Sequence, residues 1–340
     1  LLIDGEELID NWTETSPGEA FFSFSSNSKK AIVDLIKGKT YQLEIRYKFE
    51  GNFPAIYIGC QSPDKINLFN EALNLANSAD QVILIVGTNS DWETEGNDRS
   101  DFNLPANQNH LIEEVLKANP NTLVVLNTGS PVKMPWVDDA KAIIQTWFAG
   151  QEFGNALVDI VTGVINPSGR LPTSFPKNIE DTPAFISYPG KDLQMNYDEK
   201  LLVGYRWYDK KNIQTLFSFG HGLSYTEFKY TDLEIDVQVE KQVSCKFSIQ
   251  NIGQVAGVET AQCYIGFKSD DNSEPKKTLQ GFSKIALDPN IKSKVQIDLS
   301  PRSFSSWNIE SKTWEVRPGS YDILIGSSAE NIILQTTITL

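Results

Sequence analysis

The stretch "NLFNEALNLANSADQVILIVG", residues 67–87, decides the fold of the central part of the chain. Its first half carries apolar residues at helical spacing, namely Leu68, Ala72, Leu75 and Ala79. Its second half, "QVILIVG", is apolar at consecutive positions, which is typical of a strand covered on both faces of a parallel sheet. A helix followed at once by such a strand predicts an α/β domain.

The same alternation continues toward the C-terminus. Two further stretches have the helical pattern and three have the buried-strand pattern. The helices are "NQNHLIEEVLKAN" (107–119) and "GQEFGNALVDIVTG" (150–163), and the strands are "TLVVLNT" (122–128), "AIIQTWF" (142–148) and "GRLPTSFP" (169–176). This order predicts a three-layer α/β sandwich over residues 63–225.

The residues before this domain read as short β-strands broken by Gly, Pro, Asn and Ser. They comprise "LLIDGEELI" (1–9) with an Asp-Gly turn, "AFFSFS" (20–25), "KAIVDLIKG" (30–38), "TYQLEIRYKF" (40–49) and "AIYIGC" (55–60). We expect them to form part of a β-sandwich over residues 1–62, whose edges need strands absent from this sequence. The chain has no initiator Met, so we expect a fragment that begins within a domain.

The residues after the α/β domain change pattern again. Residues 226–340 contain about seven alternating strands at regular spacing, which predicts an all-β sandwich. The expected fold class is therefore multi-domain: a partial β-sandwich, a three-layer α/β sandwich and an all-β sandwich.

Composition excludes several classes of function. The formal net charge of −14 argues against nucleic acid and against anionic membrane surfaces as partners. No apolar run approaches the ~20 residues of a membrane helix. The three cysteines, Cys60, Cys245 and Cys263, are widely spaced, which fits buried free thiols better than disulfides or a zinc site. Few sequons and an odd cysteine count favour an intracellular location and leave secretion open.

Chemistry is expected in the loops that follow the parallel strands, where open α/β sheets bind ligands. The loop after "QVILIVG" holds most of the acidic side chains near such a strand end. They are Asp91, Glu93, Glu95, Asp98 and Asp101. Crowded like charges and the apolar neighbours Trp92 and Phe102 could raise the pKa of one carboxyl group enough for general acid catalysis. A solvated acidic turn has a similar composition, and a calcium site is a third alternative, although the spacing matches no EF-hand.

Other catalytic groups are scarce. The two histidines, His110 and His221, lie in a helix pattern and in a Gly-flanked turn, where packing or structural hydrogen bonds are expected. A Ser-His-Asp triad or a histidine-based metal site therefore has little support. No phosphate-binding glycine motif is present, so we expect neither a cofactor nor a metal.

Several motifs resemble glycoside hydrolase family 3, the β-glucosidases. They are "VGTNSDWETEGNDRSDFNLP" (86–105), "WFAGQEFGNALVDIVTGVINPSGRLPTSFP" (147–176) and "VGYRWYDKKNIQTLFSFGHGLSYTEF" (203–228). Residues 226–340 resemble that family's fibronectin type III-like domain, and residues 1–62 resemble the closing strands of the protective-antigen-like β-sandwich inserted in fungal members. The resemblance covers essentially the whole chain.

The resemblance implies a retaining mechanism with two carboxylates. Glu95 of "EGNDR" matches the family's acid/base, with Glu93 as the fallback, while Gly96, Asp98 and Arg99 are expected to fix the loop. The nucleophile would be an aspartate on a TIM-barrel domain that is missing here. The fragment alone is therefore expected to be inactive.

The resemblance also implies a substrate. The expected activity is hydrolysis of terminal non-reducing β-D-glucosyl residues from cellobiose or from aryl and alkyl glucosides. β-Xylosidase specificity and a non-catalytic carbohydrate-binding or structural module are the alternatives. Formation of a homo-oligomer stays open, and the residues that bind the sugar stay unknown.

Overall fold

The computed structural model describes residues 1–13, 26–49, 54–60, 67–90, 92–96, 98–99, 101–268 and 274–340. The chain divides into two compact units. The N-terminal unit comprises Leu1–Gly129 and Pro135–Phe148, and the C-terminal unit comprises Ser130–Met134 and Ala149–Leu340. The domain boundaries expected after residues 62 and 225 stay a prediction.

The N-terminal unit begins with a small antiparallel sheet. Its strands are β1 (Leu2–Ile3), β2 (Glu6–Glu7) and β3 (Leu43–Glu44), in the order β2-β1-β3. The turn between β1 and β2 places Asp4 at φ 51° and Gly5 at φ 84°. Positive φ at both central residues is what an Asp-Gly hairpin turn requires, so the predicted Asp-Gly turn is confirmed.

Two other strand predictions in this region are wrong. Residues 30–38 and 55–60 are described and contain no strand. Their apolar side chains lie largely in solvent, with Ile32 98% and Tyr57 84% exposed. A strand needs a hydrogen-bonded partner and a packed face, and these side chains pack on no such face. The predicted strand at residues 20–25 lies outside the described residues.

The α/β part of the N-terminal unit confirms the predicted alternation. Its helices are α1 (Leu68–Ser78) and α2 (Gln108–Ala118), and its strands are β4 (Val82–Gly87), β5 (Thr122–Asn127) and β6 (Ala142–Gln145). The strands pair in parallel in the order β4-β5-β6. The central strand is fully buried at Val124–Leu126, whereas Ile83 and Ile85 of β4 are each 52% exposed. The apolar pattern predicted the strands correctly but not the exposure of this face of β4.

The two helices of this unit are held together at their C-terminal ends. Asn119, the residue after α2, donates from Nδ2 to the carbonyl oxygens of Ala76 (2.9 Å) and Ala79 (2.7 Å). Asn67 caps the start of α1 by accepting from the backbone N–H of Asn70 at 3.1 Å. These bonds satisfy helix-terminal groups that have no partner within the helix.

The C-terminal unit contains α3 (Phe153–Val161) and α4 (Tyr205–Lys211). The strand predicted for residues 169–176 is wrong, because the segment forms only one isolated bridge, between Phe175 and Phe217. Pro172 and Pro176 lack the N–H that a strand ladder needs. Apolar content alone could not show this interruption.

The predicted all-β sandwich is present in the C-terminal unit. Its strands are β7 (Phe228–Val237), β8 (Val243–Asn251), β9 (Gly257–Phe267), β10 (Thr278–Leu287), β11 (Lys292–Leu299), β14 (Ser320–Gly326) and β15 (Ile332–Thr339). One sheet has the order β10-β9-β14-β15 and the other has the order β11-β8-β7. Side chains from both sheets, including Phe247, Ile249 and Ile323, form one buried core.

The sandwich also carries a hairpin that the sequence pattern did not separate from the next strand. It consists of β12 (Ser305–Asn308) and β13 (Thr313–Val316). Trp307 stands directly opposite Trp314, with ring centroids 5.5 Å apart. Such a cross-strand aromatic pair stabilises a short hairpin.

The sandwich is tied by buried polar contacts to the segment that precedes it in the same unit. Nη2 of Arg170 lies 2.7 Å from Oε2 of Glu259 on β9, and the two side chains are only 9% and 4% exposed. Tyr230 donates its hydroxyl to Oε1 of the same carboxylate at 2.8 Å. Burial, and then Glu259, raise the pKa of Tyr230, so this hydroxyl keeps its proton and acts as a donor.

Two of the three cysteines agree with the expected buried free thiols. Cys245 and Cys263 are free and buried, as expected, but Cys60 is free and exposed. Cys60 lies in the apolar segment 55–60, which packs into no core. Among the described residues, no helix has both the length and the apolar character needed to span a bilayer.

Candidate active site

The candidate site lies where the three parallel strands end. β4 ends at Gly87, β5 at Asn127 and β6 at Gln145, and because the strands are parallel these ends share one edge of the sheet. The acidic loop follows β4 directly. The segments after β5 and β6 start at the same edge. The acidic loop therefore lies, as predicted, at the edge formed by the carboxyl ends of the parallel strands.

This edge is built by close backbone contacts. The side-chain amide of Gln108 on α2 binds both backbone groups of Gly87. Its Oε1 accepts from the Gly87 N–H at 2.8 Å, and its Nε2 donates to the Gly87 carbonyl oxygen at 2.9 Å. The next N–H, of Thr88, donates to the carbonyl oxygen of Asn127 at 3.1 Å. A Cβ on Gly87 would collide with that oxygen, so only glycine permits this approach.

The acidic loop begins with a tight turn. The backbone N–H groups of Trp92 and Glu93 both donate to the carbonyl oxygen of Asn89, at 3.0 and 2.9 Å. Phe102 and Leu104, where the loop returns, are only 8% and 2% exposed. The loop is therefore anchored at its start by hydrogen bonds and at its end by buried apolar side chains.

Glu93 is held at the strand ends. Its Oε1 accepts from the hydroxyl of Thr88 at 2.6 Å and from the backbone N–H of Gly129 at 3.2 Å. The side chain is partly buried. A carboxylate engaged in this way is a poor match for an acid that must reach a substrate.

Glu95 is presented differently. It is exposed, and it is followed by Gly96 at φ +83°, a left-handed conformation that glycine adopts without strain. Asp98 is exposed and Arg99 is partly buried, and each makes a contact of its own. The expected loop-fixing roles of Gly96, Asp98 and Arg99 stay predictions.

The end of β6 adds two aromatic residues that sequence reasoning did not place in the site. Trp147 has φ 56°, which is uncommon for a bulky residue, and Phe148 is 54% exposed. A Cβ on Gly129 would lie 2.7 Å from Cε2 of the Phe148 ring. Strain of this kind clusters at functional sites, but a sequence pattern carries no sign of it.

The histidines take structural positions. His110 stacks on Phe69 with ring centroids 5.2 Å apart, which agrees with the packing role expected for it. In the C-terminal unit, His221 stacks on Phe217 at 5.2 Å. Burial, and then Arg170, lower the pKa of His221 below its usual value. Across the described parts of the chain, no three His, Cys, Asp or Glu side chains are grouped so as to hold a metal ion.

The fold and the edge together define a class of protein: an α/β domain that presents carboxylates beyond its parallel strands, followed in sequence by a β-sandwich. Residues 8–225 match the glycosyl hydrolase family 3 C-terminal domain, and residues 259–329 match a fibronectin type III-like domain. The chain therefore belongs to glycosyl hydrolase family 3.

Individual relatives agree with this assignment. Thermostable beta-glucosidase B of Acetivibrio thermocellus is 40% identical over 80% of this chain and 36% of its own. Probable beta-glucosidase K of Emericella nidulans is 36% identical over 98% of this chain and 41% of its own. The crystal structure of the Kluyveromyces marxianus beta-glucosidase in complex with glucose has a TM-score of 0.78 and 37% identity, covering 82% of this chain and 34% of that one. The chain thus spans about two fifths of the length of the curated relatives it matches.

Proposed function

We propose that residues 1–340 form the C-terminal part of a retaining β-glucosidase that removes terminal non-reducing β-D-glucosyl residues. In this proposal Glu95 is the general acid/base. It protonates the leaving oxygen and then activates the water that releases the sugar. The nucleophile, an aspartate, and most sugar-binding groups belong to a TIM-barrel domain outside these residues.

The observation that carries the proposal is the contrast between two glutamates of one loop. Glu93 is bound at the strand ends by Thr88 and Gly129, whereas Glu95 is exposed next to Gly96. A general acid must come within hydrogen-bond reach of the bond it protonates, about 2.6–3.2 Å. Of the two, only Glu95 is free to extend away from this sheet toward another domain.

The partner carboxylate sets a geometric requirement. Retention needs the two carboxyl groups ~5–5.5 Å apart, so the loop would have to enter the mouth of the barrel. The barrel would also enclose Glu95, which solvent reaches in the described chain. Relatives of this chain are named as beta-glucosidases, which supports the choice of a β-glucoside as substrate.

The test uses the full-length gene product that contains residues 1–340. We expect Glu95→Gln to lower kcat/KM for phenyl β-glucoside, whose leaving group needs a proton, about 10²- to 10⁴-fold, the usual contribution of a general acid. Asp101→Asn, which removes an exposed charge from the same loop, is the matched control and should leave activity nearly unchanged.

Two other results would change the proposal. A preference for aryl β-xylosides would assign the xylosidase specificity instead. Near-native hydrolysis of phenyl β-glucoside by the Glu95→Gln variant would exclude Glu95 as the acid/base. The purified 340 residues alone should not turn over an aryl β-glucoside, because the nucleophile lies elsewhere.

A further inference from the structure

Glu93 joins the acidic loop to the neighbouring strand end. Thr88, one donor to its Oε1, directly follows β4, and Gly129, the other donor, comes two residues after β5. The two donors are 41 residues apart in sequence, yet one carboxylate oxygen accepts from both. The side chain therefore fixes the start of the acidic loop to the segment that follows the next strand.

The backbone of Glu93 is held as well. Its N–H donates to the carbonyl oxygen of Asn89 at 2.9 Å, so both main chain and side chain are fixed. Glu95 follows only two residues after Glu93, and Gly96 then turns the backbone at φ +83°. The side chain of Glu95 therefore extends from a point two residues beyond a residue that is held through both its backbone and its side chain.

Gly129 is the other half of this arrangement. A Cβ at this residue would collide with Oε2 of Glu93 and would lie 2.7 Å from the ring of Phe148. The glycine thus makes room for the carboxylate while donating its N–H to it. The exposed ring of Phe148, just past β6, brings the third strand end against the same point.

We propose that Glu93 is a positioning residue for the acid/base: its carboxylate, bound by Thr88 and Gly129, holds the loop so that Glu95 reaches the scissile bond. This inference rests on the proposed function of Glu95. It replaces the expectation that Glu93 is the fallback acid. A displacement of about 1 Å in a reacting group can cost roughly 100-fold in rate, so such a clamp has a measurable effect.

The first experiment tests the clamp in the 340-residue chain, without reference to activity. We expect Glu93→Ala to speed amide hydrogen exchange about tenfold or more in peptides covering residues 86–96 and 125–130, because two hydrogen bonds are lost. Glu95→Gln removes a charge two residues away and should leave exchange in both peptides unchanged. Unchanged exchange in Glu93→Ala would overturn the proposal.

The second experiment measures hydrolysis by the full-length gene product. Glu93→Ala should lower kcat roughly 10- to 100-fold with little change in KM. Glu93→Gln should stay within about fivefold of native, because its amide oxygen accepts the same two hydrogen bonds, only more weakly. Gly129→Ala, a second route to the same displacement, should resemble Glu93→Ala. Both Glu93 variants should keep the alkaline limb of the pH profile, which only loss of the acid itself removes.

The outcomes separate the two proposals. A Glu93→Gln variant as inactive as Glu93→Ala, with the alkaline limb lost, would make Glu93 the acid and overturn its positioning role. If exchange responds as expected but Glu95→Gln hydrolyses glucosides normally, the proposed function of Glu95 fails, and with it the positioning role, although the clamp itself is present. Both proposals are supported if Glu95→Gln loses activity and if Glu93→Gln keeps the activity that Glu93→Ala loses.

Discussion

Replacing Glu259 by Gln should strongly destabilise the C-terminal unit. The carboxylate lies 2.7 Å from Arg170, and the two side chains are 4% and 9% exposed. The amide keeps the shape but removes the charge, which leaves a buried guanidinium without compensation. Breaking a buried pair in this way typically costs about 3–5 kcal/mol. For a unit of this size, 1 kcal/mol shifts the melting temperature by about 2–4 °C, so we expect a decrease of roughly 6–20 °C.

The assay is differential scanning calorimetry of the 340-residue chain, following the transition of the C-terminal unit. Asp232→Asn is the matched control, because Asp232 forms an equally short pair with Lys292 at 2.7 Å whose side chains are about half exposed. This control should melt close to native. A double variant, Arg170→Met with Glu259→Leu, should regain much of the lost stability, since it leaves no buried charge. A Glu259→Gln protein that melts within about 2 °C of native would refute the reasoning.

Two further predictions concern other contacts in the chain. Gly87→Ala should lower the free energy of unfolding of the N-terminal unit by about 1–3 kcal/mol, because the added Cβ would collide with the carbonyl oxygen of Asn127. Urea titration measures this change, and an unchanged midpoint of unfolding would contradict the prediction. His221 has a lowered pKa through burial and Arg170, so its contribution to stability is present above its unfolded pKa of about 6.5 and is lost as the pH falls through the folded pKa. His221→Phe, which keeps the stacking on Phe217, should therefore show a smaller drop in melting temperature between pH 7.5 and pH 5 than the native chain. An equal drop would place the acid sensitivity elsewhere.

The parts of the fold that follow local patterns could be predicted from the sequence. The apolar run ending at Gly87 became β4, and the alternating strands after residue 226 became two packed sheets. Local pattern failed where a strand depends on distant partners. Residues 30–38 are apolar enough to predict a strand, but Ile32 remains 98% exposed. The strand prediction for residues 169–176 failed for a different reason: Pro172 and Pro176, both visible in the sequence, interrupt any ladder.

The site shows the same division. The motif and its place after a strand singled out Glu95, and both can be read from the sequence. The role of Glu93 could not be read in this way, because its hydrogen-bond partner Gly129 lies 36 residues away. The pairing of Arg170 with Glu259 spans 89 residues and was equally invisible. Sequence spacing reports neighbours along one helix or strand, whereas these contacts depend on which distant segments the fold brings together.

The central claim is that Glu95 protonates the leaving group, and its most direct test varies that group. The full-length gene product and its Glu95→Gln variant would be compared on aryl β-glucosides whose phenols range from dinitrophenol, which needs no proton to leave, to unsubstituted phenol. We predict little loss of the glycosylation rate for dinitrophenyl glucoside and a loss growing to about 10²- to 10⁴-fold for phenyl glucoside. A loss of the same size across the whole series, or no loss at all, would contradict the assignment of Glu95 as the general acid.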